Sequence, residues 1–189
     1  MNRYRYKKKK RHTKPFIDIC LYEHLLTSKN IVFDSTNHTI LFIRGQMNNP
    51  ETKGGCMFLA VLATLELLGI DDWSVSKLRQ IIYHEVTEHP FDNMNEEELQ
   101  DFLDNIVVNG TWGGDEALSA IATALNVNFY VMVYYKDNEP YIHEVLGSTD
   151  EHPTNGFLIW SNNHYDAFVK RNSFSRLLDG LYQIISSND

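Results

Sequence analysis

From Cys56 to Leu68 the chain reads Cys-Met-Phe-Leu-Ala-Val-Leu-Ala-Thr-Leu-Glu-Leu-Leu, with Glu66 its only charge and Gly69 a natural stop. These are helix formers and core residues, so the segment predicts a helix set inside a core. Gly54 and Gly55 stand just before it, where two glycines let the backbone turn sharply and another group come close. The Cys56 sulfur is thereby placed at a helix N-terminus. Unpaired N–H groups and the helix dipole favour a thiolate there, drawing a thiol pKa from about 8.5 towards roughly 3.5–7.5. Free cysteine is also among the most buried residue types, and a small packing residue at the mouth of a core helix is the simpler reading of this stretch alone.

A chain of 189 residues, 43 % of them apolar, suffices for one domain with a substantial core. No stretch approaches eighteen uninterrupted apolar residues, so neither a spanning helix nor a membrane partner is expected. The basic N-terminus lacks the apolar segment and small-residue cleavage site of a secretory signal. Cys20 and Cys56 are the only cysteines, too few for a disulfide framework and without the paired Cys/His spacing of a zinc site. The expectation is a reducing intracellular setting, cytoplasmic or nuclear, or a host cell for a viral or pathogen protein.

Charge is concentrated at one end. Residues 1–14 carry eight Lys/Arg and no acid, which leaves nine basic and 25 acidic side chains on the remainder, a balance of −16. Residues 1–14 therefore read as a disordered basic arm and residues 15–189 as the folded domain. The arm is open to three readings: a solvated terminus, a nuclear-import signal, or a nucleic-acid contact in which Tyr4 and Tyr6 stack on bases.

Periodicity predicts helices over residues 16–26, 75–89, 95–108, 115–125 and 174–185, besides the one that begins at Cys56. Asp71, Asp72 and Ser74 are cap candidates for the second of these, and Asn95 for the third. Ile31–Phe33 and Thr39–Ile43 form a candidate hairpin around a turn-rich link. Strands are expected at 129–135, 141–146, 157–160 and 164–169, with short polar links at 136–140 and 161–163 suited to antiparallel neighbours. Helices lead and strands follow, an α+β arrangement with a helical layer packed on a small, mostly antiparallel sheet.

Trp160-Ser-Asn-Asn-His164-Tyr165-Asp166 is the second informative stretch. On a strand, period two puts His164 and Asp166 on one face and Tyr165 on the other. An imidazole with a carboxylate beside it is what a cysteine nucleophile needs: the ring takes the thiol proton, and the acid fixes its tautomer and stabilises imidazolium. Asn162 or Asn163 could orient the ring instead. His84-Glu85-Val86-Thr87-Glu88-His89 superficially suggests a zincin helix, but its histidines are five residues apart and point to different sides, as a solvated face would.

The blocks Gly54-Gly-Cys56-Met-Phe58, Trp112-Gly113-Gly114 with the Ala/Leu helix and strand after it, and His164-Tyr165-Asp166 together resemble the ovarian-tumour (OTU) family of cysteine proteases, across about residues 45–170. The resemblance implies a papain-like fold and hydrolysis of isopeptide bonds in ubiquitin or polyubiquitin conjugates by a monomer without metal or cofactor. It maps the nucleophile onto Cys56, the general base onto His164 and the third member onto Asp166. It also assigns a backbone oxyanion hole to Gly54, Gly55 and Cys56, and a cleft wall to Trp112. The family usually has Asp-Gly-Asn before the cysteine, where this chain has Lys53-Gly54-Gly55. That departure keeps open a weak or inactive ubiquitin-binding module, and another Cys/His acyl-transfer hydrolase stays open beside it.

Overall fold

The structure, a computed structural model, describes residues 19–34, 36–41, 43, 55–108, 110–135 and 138–170. The basic arm, Lys53, Gly54 and the expected helix at 174–185 lie outside the described residues. The elements are α1 (Ile19–Thr27), β1 (His38–Leu41), α2 (Cys56–Leu67), α3 (Val75–Glu88), α4 (Glu96–Ile106), α5 (Asp115–Leu125), β2 (Val127–Tyr134), β3 (Tyr141–Val145), β4 (Thr154–Ser161) and β5 (His164–Lys170). Local chemistry sets several boundaries. The Ser74 side chain caps α3 by accepting from the Lys77 N–H. Asn95 and Glu98 close a capping box on α4, satisfying donors at both ends of the first turn. Asn126 ends α5 in the left-handed region that asparagine tolerates.

The strands form one sheet in the order β1-β5-β4-β2-β3, antiparallel throughout except for the parallel β2–β4 pair. α2 lies against β5 and β4, with α3, α4 and α5 completing the helical layer. Met57, Phe58, Ala60, Val61 and Leu65 of α2 are buried completely or nearly so, as an apolar helix requires. The sheet's other face is covered by α1 through Tyr22 and Leu26, which pack with Phe33, Tyr130, Met132, Ile159 and Phe168. Both faces being covered explains why β2 reads as a continuous apolar run: Phe129, Val131 and Val133 face the helical layer, Tyr130 and Met132 the α1 side.

The expected hairpin at Ile31–Phe33 does not form. Thr39–Leu41 pair with β5, Leu41 opposite Ala167, and Phe33 sits under the sheet against Tyr22, with ring centroids 4.9 Å apart. The apolar pull of the α1 cluster outweighs local pairing across a five-residue link.

The parallel β2–β4 pair forces the link after β3 to cross beside the end of α5. Asn128 Oδ1 accepts the N–H groups of Gly147 (3.0 Å) and Ser148 (2.9 Å) there. A Cβ on Gly147 would stand 2.0 Å from the backbone carbonyl of Ala122, which cannot move without breaking α5. Gly147→Ala is expected to destabilise the fold by about 2–3 kcal/mol, the upper part of the overpacking range. An unchanged urea midpoint would show that the crossing is looser than drawn.

Candidate active site

Cys56 is the first residue of α2, with Gly55 at the N-cap. It is 7 % exposed. Burial pushes its thiol up, but the hydrogen bond with His164, the N–H groups of Tyr165 and Met57 directed at the sulfur, and the charge of His164 outweigh it and leave the thiol below its ordinary value. The helix start and β5 therefore both favour the thiolate form of the sulfur.

Asn162 and Asn163 both take positive φ, 52° and 61°, and form the two-residue turn that joins β4 to β5 antiparallel. Their side chains are exposed. The turn delivers His164 as the first residue of β5. Its Nε2 lies 2.7 Å from the Ile43 carbonyl oxygen and 3.3 Å from Asp166 Oδ1. Both are acceptors, so Nε2 carries the proton, and Nδ1 is the nitrogen left to exchange a proton with Cys56. Asp166 is 2 % exposed, and its Oδ1 also accepts the Ile43 N–H at 2.7 Å. Hydrogen bonding to Asp166 and then to Cys56, helped by their charges and opposed by burial, pushes the His164 imidazolium up to about 10. A thiol drawn down beside an imidazole drawn up is the combination that favours a thiolate–imidazolium pair.

Trp112 is 62 % exposed and stands at the edge of an open cleft of about 680 Å³ that Gly113, Asp115, Trp160, Asn163 and Tyr165 also line. Gly113 lies against α2, where an added Cβ would stand 2.1 Å from Met57 Cε, the neighbour of Cys56. The cleft is lined by the residues on both sides of His164 and by the glycine packed on α2, while Cys56 and His164 themselves do not line it. Tyr165 donates its hydroxyl to Asp115 Oδ1 at 3.2 Å. Burial, followed by the charge and hydrogen bond of Asp115, raises the Tyr165 phenol and keeps it neutral.

The wall is anchored from beneath. Arg79 of α3 is 2 % exposed and donates from Nη1 to the Ile106 carbonyl and from Nη2 to the Thr111 carbonyl, both at 2.7 Å, with its guanidinium 4.2 Å from the Phe58 ring centroid. One fork ties α4, the segment before Trp112 and α2 together. Lysine offers no such fork. Arg79→Lys is expected to cost about 2–3 kcal/mol, one charge-assisted bond and part of a second, which chemical denaturation would measure.

Neither Ile43 nor Arg79 was a sequence candidate. Ile43 acts through its main chain, which leaves no residue-type signal. A buried arginine in α3 differs from a surface one only by its packing. His84 is exposed and meets Glu88 Oε2 at 3.5 Å, an ordinary i,i+4 pair. No group of metal-binding side chains and no helix long and apolar enough to cross a membrane occurs among the described residues.

A cleft beside a Cys–His pair on a helix-and-sheet scaffold defines a papain-like thiol hydrolase architecture. The profile of the OTU-like cysteine protease family matches residues 51–166, and the chain belongs to that family. No curated protein matches in sequence. Among solved structures, the OTU domain of OTUD1 is similar with a TM-score of 0.55 and 24 % identity, over 79 % of this chain and 92 % of its own. An OTU deubiquitinase from Wolbachia pipientis wMel gives 0.60 at 16 % identity, over 77 % and 96 %. The Hazara virus OTU bound to ubiquitin gives 0.52 at 15 %, over 72 % and 83 %. The α+β OTU fold expected from the three sequence blocks is the fold of this chain.

Proposed function

We propose that this protein is a deubiquitinating cysteine protease with Cys56 as nucleophile, His164 as general acid and base, and Asp166 as the acid that holds the imidazolium. The observation that carries the reading is the convergence of Cys56 and Asp166 on one histidine ring, 108 and two residues away in sequence, in a family of cysteine proteases. The Cys56 thiolate attacks the carbonyl carbon of the isopeptide bond. His164 Nδ1–H protonates the departing lysine amine as the C–N bond breaks, leaving a thioester. The neutral ring then takes a proton from water as the water oxygen attacks, the C–S bond breaks, and the thiolate–imidazolium pair is restored. The N–H groups of Cys56 and Gly55 at the start of α2, with Gly54, are assigned to the oxyanion. Trp112 is assigned to one wall of the substrate cleft.

Ubiquitin is the substrate by analogy with the Wolbachia and Hazara virus enzymes, each solved with ubiquitin bound. Incubation with linked di-ubiquitin, and with ubiquitin carrying a C-terminal electrophile, tests the assignment under reducing conditions. Cleavage and a covalent adduct on Cys56 are the expected results. Lys53-Gly54-Gly55, in place of the family's usual Asp-Gly-Asn, favours one second reading, a ubiquitin-binding module of little activity. Tight ubiquitin binding with no cleavage and no adduct would establish that reading in place of the first.

A further inference from the structure

We propose that the main chain of Ile43 is the positioning group of the site: its carbonyl fixes the His164 ring through Nε2–H while its N–H fixes the Asp166 carboxylate. The proposal rests on the Cys–His reading above and deepens it. A ring N–H has one hydrogen and one good direction. The shorter contact is 2.7 Å to the Ile43 oxygen, and Asp166 Oδ1 at 3.3 Å is the longer, charged second acceptor of the same N–H. Asp166 is itself held at 2.7 Å by the Ile43 N–H. Ring, carboxylate and the main chain of one residue therefore form a closed three-member loop, in which Asp166 acts on the ring both directly and through Ile43.

The sheet register explains why a residue so far away in sequence can do this. Leu41 stands opposite Ala167 in the β1–β5 ladder. Ile43 follows two residues beyond that pair in sequence. Beyond the ladder the backbone polar groups are used by the site. Those of Ile43 go to the side chains of His164 and Asp166, and the N–H of Tyr165 goes to the Cys56 sulfur. Three main-chain groups thus serve all three members of the site. Ile43 is 5 % exposed and packs in the same core as Cys56, which keeps its main chain in place.

Amide-to-ester exchange tests a main-chain role directly. Residues 1–55 prepared as a glycine thioester can be joined to residues 56–189 at the native Gly55–Cys56 bond. An α-hydroxy acid at position 43 deletes the Ile43 N–H, and one at position 44 turns the Ile43 carbonyl into a weaker ester acceptor. An ester at position 40, inside β1, is the control for general weakening of the ladder. Two quantities are read: the pH dependence of Cys56 alkylation by iodoacetamide, resolved from Cys20 by peptide mass spectrometry, and turnover of di-ubiquitin.

A weaker acceptor lowers the imidazolium pKa, and the thiolate loses part of its partner. The ester at 44 is thus expected to raise the alkylation midpoint of Cys56 by about one pH unit. It is also expected to lower kcat roughly tenfold with KM little changed. The ester at 43 should shift the midpoint in the same direction by less, and the control should lower only the thermal midpoint. Folded ester variants whose Cys56 titrates as in the all-amide chain would overturn the proposal. An all-amide chain inert towards ubiquitin would overturn the hydrolase reading alone, because the alkylation profile still decides the role of Ile43.

Discussion

Cys56→Ala is expected to lower the turnover of di-ubiquitin by at least about 10⁴-fold, the scale on which removal of a nucleophile leaves only oxyanion binding and positioning. The sulfur receives the His164 ring and two backbone N–H groups, and alanine keeps none of these contacts. Ubiquitin affinity should stay within about threefold of wild type, since the change removes one atom from a residue that is only 7 % exposed. Covalent capture by a C-terminal electrophile should vanish. Turnover within tenfold of wild type, or equal capture, would show that another group performs the attack.

The pair behind the sulfur gives the second large effect. His164→Ala is expected to lower kcat by about 10³–10⁴-fold, the contribution of a positioned general acid and base. In the wild type the ring is held charged up to about 10, hydrogen bonding to Asp166 being the largest cause. Activity should therefore rise as pH passes upward through the depressed thiol value, stay level, and fall near pH 10, where the ring can no longer protonate the leaving lysine. Asp166→Asn keeps an oxygen for the Ile43 N–H but removes the charge, so its alkaline limb should move to lower pH while the fold stays intact. Asp166→Ala removes both and should also lower stability by about 1–3 kcal/mol through the orphaned N–H. An alkaline limb unmoved in Asp166→Asn would exclude the carboxylate as the cause.

The same shift bears on stability. Because the folded His164 value lies above its ordinary 6.5, the ring stabilises the fold fully below about 6.5, and this contribution fades as pH rises to about 10. His164→Ala should flatten that dependence. A wild type whose melting temperature did not fall across this window, compared with the variant, would argue against the charged ring.

Residue type and spacing were sufficient wherever the physics is local. The apolar segment after Gly55 had to be a buried helix. Asn95 and, among Asp71, Asp72 and Ser74, the serine cap helices, because each offers a side-chain oxygen to N–H groups that have no other partner. His164 and Asp166, two apart at the start of a strand, had to lie near one another, and the order of the three blocks was enough to bring the family into view.

Contacts across long separations were beyond such reading. The sequence placed Ile31–Phe33 in a hairpin because it could not weigh a local turn against burial under α1. It left Asn162, Asn163 and Asp166 as alternatives for the ring, since each could reach it along the chain. Only the fold turns both asparagines out at the β4–β5 corner and seals Asp166 inside. Ile43 is the clearest case. What it supplies is a carbonyl and an N–H that every residue except proline possesses, and only the path of the chain in space decides which residue brings them to His164 and Asp166. The sequence by itself determined which side chains could do chemistry. The tertiary structure decided what holds them, because a hydrogen-bond partner is fixed by position in space and a main-chain group carries no mark in the sequence.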